Sequence, residues 1–271
     1  MKEPSSSNFT EPSFVRGYNA NPLVFAQVNS EVTSLMAFAE NGDVQSCYEL
    51  AVRYSEGIGV PVDYEMSASY FKSAADQNHL EAQFKLGGCY SKGKGVEQSW
   101  ENAVFWFRCA AERGHAKAQF NLGWCYANGV GVAQSMKEAT FWYIKAANQG
   151  LSDAQLNLGK CYWDGSGVVQ SIAEAAIWYK KAAAQGHGIA QYNLALCFAN
   201  SEYDKHSWTD AAFWFHKASK AGIMEAQYNL AWCYEKGCGV PQSHTKAIFW
   251  MKKAAEKGFE PAKQALIDFG A

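Results

Sequence analysis

Residues 118–150 of the 271-residue chain read AQFNLGWCYANGVGVAQSMKEATFWYIKAANQG, and this stretch decides the fold. Small and apolar residues, beginning with Ala118 and Leu122, follow the spacing of one face of an amphipathic helix. The Gly-Val-Gly-Val string that begins at Gly129 predicts a turn, because glycine ends helices and adopts positive φ. Ser135 stands at the N-cap position of a second apolar-periodic segment. The stretch therefore predicts two helices joined by a glycine-rich turn.

The same pattern recurs every 36 residues without insertion or deletion. The fifth position of each unit is a leucine, in the series Leu50, Leu86, Leu122, Leu158, Leu194, Leu230 and Leu266. The eighth position is a cysteine in five units, namely Cys89, Cys125, Cys161, Cys197 and Cys233. Tryptophan recurs later in the unit as Trp106, Trp142, Trp178, Trp214 and Trp250, which we interpret as the packing seam between units. A helix pair cannot bury its apolar face alone, so a fixed period of this length is typical of stacked repeats.

The repeats predict an all-α fold, an α-solenoid that forms a right-handed superhelix. We expect six 36-residue helix-turn-helix units, at residues 46–81, 82–117, 118–153, 154–189, 190–225 and 226–261. Capping helices are predicted before and after them, over 22–45 and 262–271. Residues 1–21 are rich in Ser, Pro and Asn, so we predict a disordered tail there.

The units resemble the Sel1-like repeat (SLR), a 36-residue relative of the tetratricopeptide repeat. The resemblance is carried by the Ala-Gln-x-Asn-Leu-Gly start at Ala118, the Gly-x-Gly-Val turn and the Trp-Tyr-x-Lys-Ala-Ala run at Trp142, and it covers residues 46–261. It implies a TPR-like scaffold or adaptor. Members of the family assemble membrane-protein degradation complexes, activate cell-wall synthases or serve bacteria in the envelope and in host interaction. The family therefore implies a protein or peptide partner without naming it.

Composition and charge exclude several other classes of function. With 24 basic and 26 acidic side chains the net charge is -2, which gives no excess of positive charge for nucleic acid. No stretch approaches the roughly 20 consecutive apolar residues that a membrane helix needs, so we expect no membrane insertion. The N-terminal residues lack the apolar segment of a signal peptide. We therefore expect a cytoplasmic protein that is monomeric when alone.

The cysteines and histidines do not suggest a metal or cofactor site. Equivalent positions in stacked helices are about 8–10 Å apart, whereas a disulfide needs about 7 Å or less, so we interpret the periodic cysteines as small buried residues. Cys233 and Cys238 form a weak zinc pattern because no second cysteine pair accompanies them. His79, His115 and His187 lie whole units apart and are interpreted as surface-loop residues. We predict neither cofactor nor metal.

Two short strings could indicate an enzyme. Ser69-Tyr-Phe-Lys72 and Ser243-His-Thr-Lys246 match the S-x-x-K motif of penicillin-recognising enzymes. Neither is accompanied by S-D-N or K-T-G, and Ser243 is already explained as a helix cap. We therefore predict no catalytic residue, and a β-lactam-interacting hydrolase is the least favoured hypothesis.

By comparison with tetratricopeptide repeats, the third, fourth, seventh and eleventh positions of each unit face a concave groove. The fourth position is Asn in four successive units, and an asparagine ladder either binds the backbone of an extended peptide or bonds to the adjacent first helix. The seventh position varies, which is expected of a specificity surface, and includes two tryptophans. The predicted partner-binding residues are Lys85, Phe120, Asn121, Trp124, Asn157, Lys160, Tyr192, Asn193, Tyr228, Asn229 and Trp232.

The sequence thus predicts a non-enzymatic adaptor that binds a protein segment in its groove. The alternative is a structural spacer or assembly subunit that uses its ends or its convex face. One unit lacks the glycine turn and has Ser201-Glu-Tyr-Asp-Lys-His206 instead, which we expect to protrude or move. That loop is either neutral drift or a separate contact site.

Overall fold

The computed structural model describes residues 22–200 and 207–268, which form fourteen α-helices and no strand. The helices are α1 (Pro22–Glu40), α2 (Val44–Glu56), α3 (Tyr64–Asp76), α4 (Leu80–Lys92), α5 (Trp100–Glu112), α6 (Ala116–Asn128), α7 (Met136–Asn148), α8 (Ser152–Asp164), α9 (Ile172–Ala184), α10 (Gly188–Ala199), α11 (Trp208–Lys220), α12 (Met224–Lys236), α13 (His244–Glu256) and α14 (Glu260–Asp268). Each helix packs against the next one along the chain. The predicted all-α solenoid is therefore confirmed.

Two helices alternate through the repeats, and we name them by their order in the unit. The first helices, α2, α4, α6, α8, α10 and α12, are called inner, and the second helices, α3, α5, α7, α9, α11 and α13, are called outer. Each inner helix begins two residues before the Ala-Gln pair that defined the predicted units, as α6 does at Ala116. The last helix, α14, likewise begins at Glu260, ahead of the predicted 262. The predicted tail at 1–21 and the loop at 201–206 lie outside the described residues.

Side-chain caps fix where the helices begin and end. The predicted N-cap serines are confirmed, since the side-chain oxygens of Ser135 and Ser171 accept hydrogen bonds from the backbone amides of Glu138 and Glu174. The inner helices other than α10 end at a glycine with positive φ, such as Gly129 at 68°, whereas α10 ends at Asn200 with a φ of -82°. These bonds satisfy backbone groups that a helix end leaves unpaired.

The histidines interpreted as surface-loop residues do lie between helices, but they are partly buried and act as N-caps. Nδ1 of His79, His115 and His187 accepts from the backbone amide three residues later. The His115 ring also stacks on Phe84, with centroids 4.5 Å apart, and its Nε2 lies 2.9 Å from Glu81. Sequence reasoning missed this role because His is an uncommon cap, whereas Ser, Thr, Asp and Asn are expected there.

The core is a line of small clusters, one per helix pair. In the pair α5 and α6, Phe107 and Leu122 pack with small alanines, and Trp142 of α7 completes the cluster. The tryptophans of α5, α9, α11 and α13 pack in the same way on the cluster of the preceding helices. This confirms that the tryptophan series is the seam between neighbouring units.

All eight cysteines are unpaired, and burial raises the pKa of Cys125 to about 11.

A ladder of buried glutamines links each unit to the next. The second-position glutamines, such as Gln119 and Gln155, donate Nε2 to a carbonyl eight residues earlier. Their Oε1 atoms accept from Gln149 and Gln185, which end the outer helix of the same unit, at 2.7 and 2.9 Å. The equivalent donor position after Gln191 is Ala221. The buried Oε1 of Gln191 consequently has no hydrogen-bond partner among the described residues.

Replacing Ala221 with Gln is expected to raise the free energy of unfolding by about 1 kcal/mol, because it supplies the missing donor. The matched change Gln149→Ala removes such a donor and should lower the free energy of unfolding by about 1–3 kcal/mol, because Gln119 Oε1 loses its partner. Urea denaturation followed by circular dichroism measures both. An Ala221→Gln protein no more stable than the parent would contradict this account of the ladder.

A groove between inner helices

A cleft of about 460 Å³ opens between the inner helices α8 and α10. Its lining residues are Leu156, Asn157, Lys160, Trp163, Asp164, Tyr179, Ile189, Asn193 and Leu196. Positions three, four, seven and eleven of the repeat all contribute to this lining, as the comparison with tetratricopeptide repeats predicted. The α-helical repeat places them on one face, since residues three and four apart are neighbours on a helix.

Three of the eleven predicted residues, Asn157, Lys160 and Asn193, meet in this cleft. The other eight do not line it. Lys85 is exposed on α4, and Tyr192 lies on α10 but does not line the cleft. The other six lie on α6 or α12, namely Phe120, Asn121, Trp124, Tyr228, Asn229 and Trp232. Thus only part of the predicted set comes together at one place, and the remainder extends along neighbouring inner helices.

The asparagines are anchored by tyrosine hydroxyl groups. The side chain of Asn157 is hydrogen-bonded to Tyr143, and that of Asn193 to Tyr179, both on the preceding outer helix. Asn229 bonds to Tyr192 on the adjacent inner helix, which is the second of the two alternatives open from the sequence. A carboxamide has up to four hydrogen-bonding sites, so one bond to a tyrosine leaves others for a partner.

Buried tyrosines form the floor beneath the asparagines. Burial raises the pKa of Tyr143 and of Tyr179, the latter a lining residue of the cleft, while the Asn157 and Asn193 bonds act in the opposite direction. Both phenols are therefore neutral donors or acceptors over the physiological range. The floor is polar only at these hydroxyls and otherwise aromatic.

The third-position aromatics do not form a free aromatic surface. Phe120 packs against Tyr143 with ring centroids 5.9 Å apart, and Tyr192 packs against Phe215 at 6.0 Å. Tyr228 contacts Phe259 at 5.5 Å. These half-buried rings therefore support the groove from below.

Two tryptophan pairs lie three units apart, on either side of the cleft along the chain. Trp124 contacts Trp100 with centroids 5.7 Å apart, and Trp232 contacts Trp208 at 5.3 Å. Trp124 and Trp232 remain 39% and 38% exposed, so each pair offers a fixed apolar surface. The sequence predictions missed Trp100 and Trp208. A signal existed, because the first residue of the preceding outer helix is tryptophan wherever the seventh position is tryptophan.

Charges at the cleft are balanced. Lys160 and Asp164 both line it, and the walls between them are apolar, with Leu156, Ile189 and Leu196. Within the described residues no group of three His, Cys, Asp or Glu side chains is placed to hold a metal ion. The lining thus combines an apolar surface with one basic and one acidic side chain.

One residue of each S-x-x-K string has a structural hydrogen bond. Ser243 Oγ caps α13 by accepting from the Lys246 amide. Lys72 donates to Asp76 at 2.7 Å on the same helix.

No helix in the described part of the chain is long and apolar enough to cross a membrane.

Comparisons with known proteins agree with this architecture. The Sel1 repeat model matches six consecutive segments, 44–79, 80–115, 116–151, 152–187, 188–223 and 225–259. No curated protein matches the chain. A protective antigen of uropathogenic Escherichia coli that displays an SLR fold is 30% identical, with a TM-score of 0.82 over 90% of this chain and 56% of its own. A Sel1 repeat protein from Oxalobacter formigenes is 31% identical, with a TM-score of 0.70 over 87% and 97% of the two chains.

The chain therefore spans only 56% of the E. coli antigen, but it covers nearly all of the Oxalobacter protein. The six matched segments begin within the first residues of the inner helices, as the segments 80–115 and α4 show. The family model accounts for most of the chain. By its repeats, its helix pairs and these relatives, the chain belongs to the Sel1 repeat family.

Proposed function

We propose that this protein is a non-enzymatic adaptor that captures an extended protein segment in the groove of its inner helices. Sel1-repeat proteins generally mediate protein–protein interaction, and relatives of this chain are typically non-catalytic scaffolds. The cleft between α8 and α10 carries the proposal, because it joins apolar walls to two anchored carboxamides, those of Asn157 and Asn193. An extended segment presents backbone donors and acceptors that such amides can bond while its side chains enter the cleft.

The anchored amides support affinity as well as recognition. Binding is weakened by the loss of side-chain freedom, and the tyrosine bonds have already restricted Asn157 and Asn193. Trp124 and Trp232 extend the surface on either side, and tryptophan is enriched at binding hot spots. We also propose a reducing compartment such as the cytoplasm, since the cysteines are present as free thiols.

We expect peptides selected from a randomised phage library on the parent protein to bind at least tenfold more weakly to an Asn193→Lys, Leu196→Lys double variant. Both lysines occur at the equivalent positions of other units, as Lys85 and Lys160, so the repeat tolerates them. They charge the apolar wall and remove one amide, and a tenfold change corresponds to about 1.4 kcal/mol. Fluorescence anisotropy with the labelled peptide measures the change.

The matched control is Lys85→Asn on α4, which installs the common residue outside the cleft and should change the affinity less than twofold. Circular dichroism establishes that each variant is folded. If no peptide is selected, or if the double variant binds the selected peptides as tightly as the parent, the groove assignment is wrong. If the double variant still binds the peptides, and binding is lost only when the ends of the solenoid are blocked, the result would favour the alternative of a structural spacer that uses its ends.

A further inference from the structure

The outer helices carry a row of exposed apolar side chains that the groove does not use. Phe105, Phe141, Ile177, Phe213 and Phe249 occupy one repeat position and are 46–56% exposed. They lie on α5, α7, α9, α11 and α13, directly before each seam tryptophan, and we call them the outer stripe. Single exposed apolar residues are ordinary, but here the same repeat position is apolar and exposed in five consecutive units, and grouped exposed apolar residues mark interaction sites.

The rings of the outer stripe are held in place. Phe141 meets the edge of Trp142 with centroids 5.1 Å apart, and Phe213 meets Trp214 in the same way at 5.2 Å. Each tryptophan is anchored in the core cluster of the preceding helices. A fixed ring loses little conformational entropy when it binds, which favours its use as a contact.

A row of lysines runs beside the outer stripe, one turn further along each helix. Lys145, Lys217 and Lys253 lie 4.7, 4.9 and 5.2 Å from the centroids of the stripe rings on their own helices. The outer helices α7, α9, α11 and α13 carry nine lysines against four carboxylates. The inner helices α6, α8, α10 and α12 carry three against four. The outer face is therefore cationic although the whole chain has a net charge of -2.

We propose that the outer stripe from α7 to α13 binds an extended acidic protein segment that carries repeated apolar residues. Charge complementarity selects the acidic residues, since the stripe residue of each of these four helices is followed by a lysine one turn later. A segment that crosses these four helices in turn meets one stripe residue and one lysine on each of them.

The same helices argue against an anionic membrane as the occupant. Glu138, Glu174 and Asp210 are exposed in the first turn of α7, α9 and α11, three residues before the stripe. A broad anionic surface that reached the lysines would also meet these carboxylates and be repelled. A single chain is narrow enough to follow the stripe and the lysines alone.

The probe is a fluorescein-labelled peptide of four Glu-Phe-Glu repeats, measured by anisotropy with the full-length protein. We expect it to bind the parent and to bind a Phe141→Ser, Phe213→Ser double variant at least tenfold more weakly. Ser69 occupies this position in the first unit, so the repeat accepts serine there. Phe105→Ser is the matched control, because α5 has a cysteine where α7, α9, α11 and α13 have the lysine, and it should change the affinity less than twofold.

Two further measurements separate the sources of binding. A peptide of four Lys-Phe-Lys repeats should not bind, and vesicles with 30% phosphatidylserine should not sediment the protein. Absence of Glu-Phe-Glu binding to the parent, equal binding by the double variant, or sedimentation with vesicles without peptide binding would each overturn the proposal. Binding of both peptides alike would overturn it as well, because charge would then play no part.

Discussion

Replacing Gly131 with alanine is expected to lower the free energy of unfolding by at least about 3 kcal/mol. Gly131 is the second glycine of the turn between α6 and α7 and has a φ of 69°. A Cβ atom there would overlap the backbone carbonyl of Trp100, the first residue of α5. The positive φ alone costs an alanine about 1–2 kcal/mol, and the overlap must be relieved by moving the backbone of the neighbouring unit.

Gly150→Ala is the matched control, because that residue has a φ of 90° and open space around its Cβ position. It should lose only the conformational part, about 1 kcal/mol. Chemical denaturation followed by circular dichroism and by tryptophan fluorescence measures both variants. Equal losses in the two proteins would mean that the close approach between units contributes nothing to the effect at Gly131.

This pair of glycines shows which features of the fold can be read from sequence. The turn was predicted from the Gly-x-Gly-Val string, since positive φ is a local requirement. The contact of Gly131 with Trp100 was not predicted, because its partner lies in another unit and no local pattern indicates it. The same contact recurs at the second glycine of three other turns, Gly95, Gly167 and Gly239.

The groove was also predictable only in part, because local helical spacing can be read from the sequence whereas contacts between helices cannot. Helical spacing placed Asn157, Lys160 and Asn193 on one face, and these three line the cleft. The choice between the two roles of the asparagines depended on where tyrosine hydroxyls lie after packing, and Tyr179 reaches Asn193 from a different helix. Trp163 and Ile189 have no counterpart in the repeat pattern, so no periodic signal indicated them.

Among the outer helices, we expect the largest loss of unfolding free energy when a seam tryptophan is replaced. Trp142→Ala should lower the free energy of unfolding by about 3–5 kcal/mol, because a buried indole, only 7% exposed, is removed from the cluster that joins α7 to α5 and α6. Its neighbour Phe141 is 47% exposed, so Phe141→Ala should cost about 0.5 kcal/mol. Urea denaturation of the two proteins compares adjacent aromatic residues of one helix that differ mainly in burial.

The shape of the transition tests the repeat architecture itself. The stability of stacked repeats is approximately a sum of unit terms and nearest-neighbour interface terms, so a weakened seam should uncouple the helices on its two sides. Hydrogen exchange of the Trp142→Ala protein should then show the amides of α2–α6 losing protection at lower urea than those of α8–α13. In the Phe141→Ala protein both groups should exchange together, as in the parent. A single cooperative loss of protection in the Trp142→Ala protein would show that stability is shared over the whole array and is not held at individual seams.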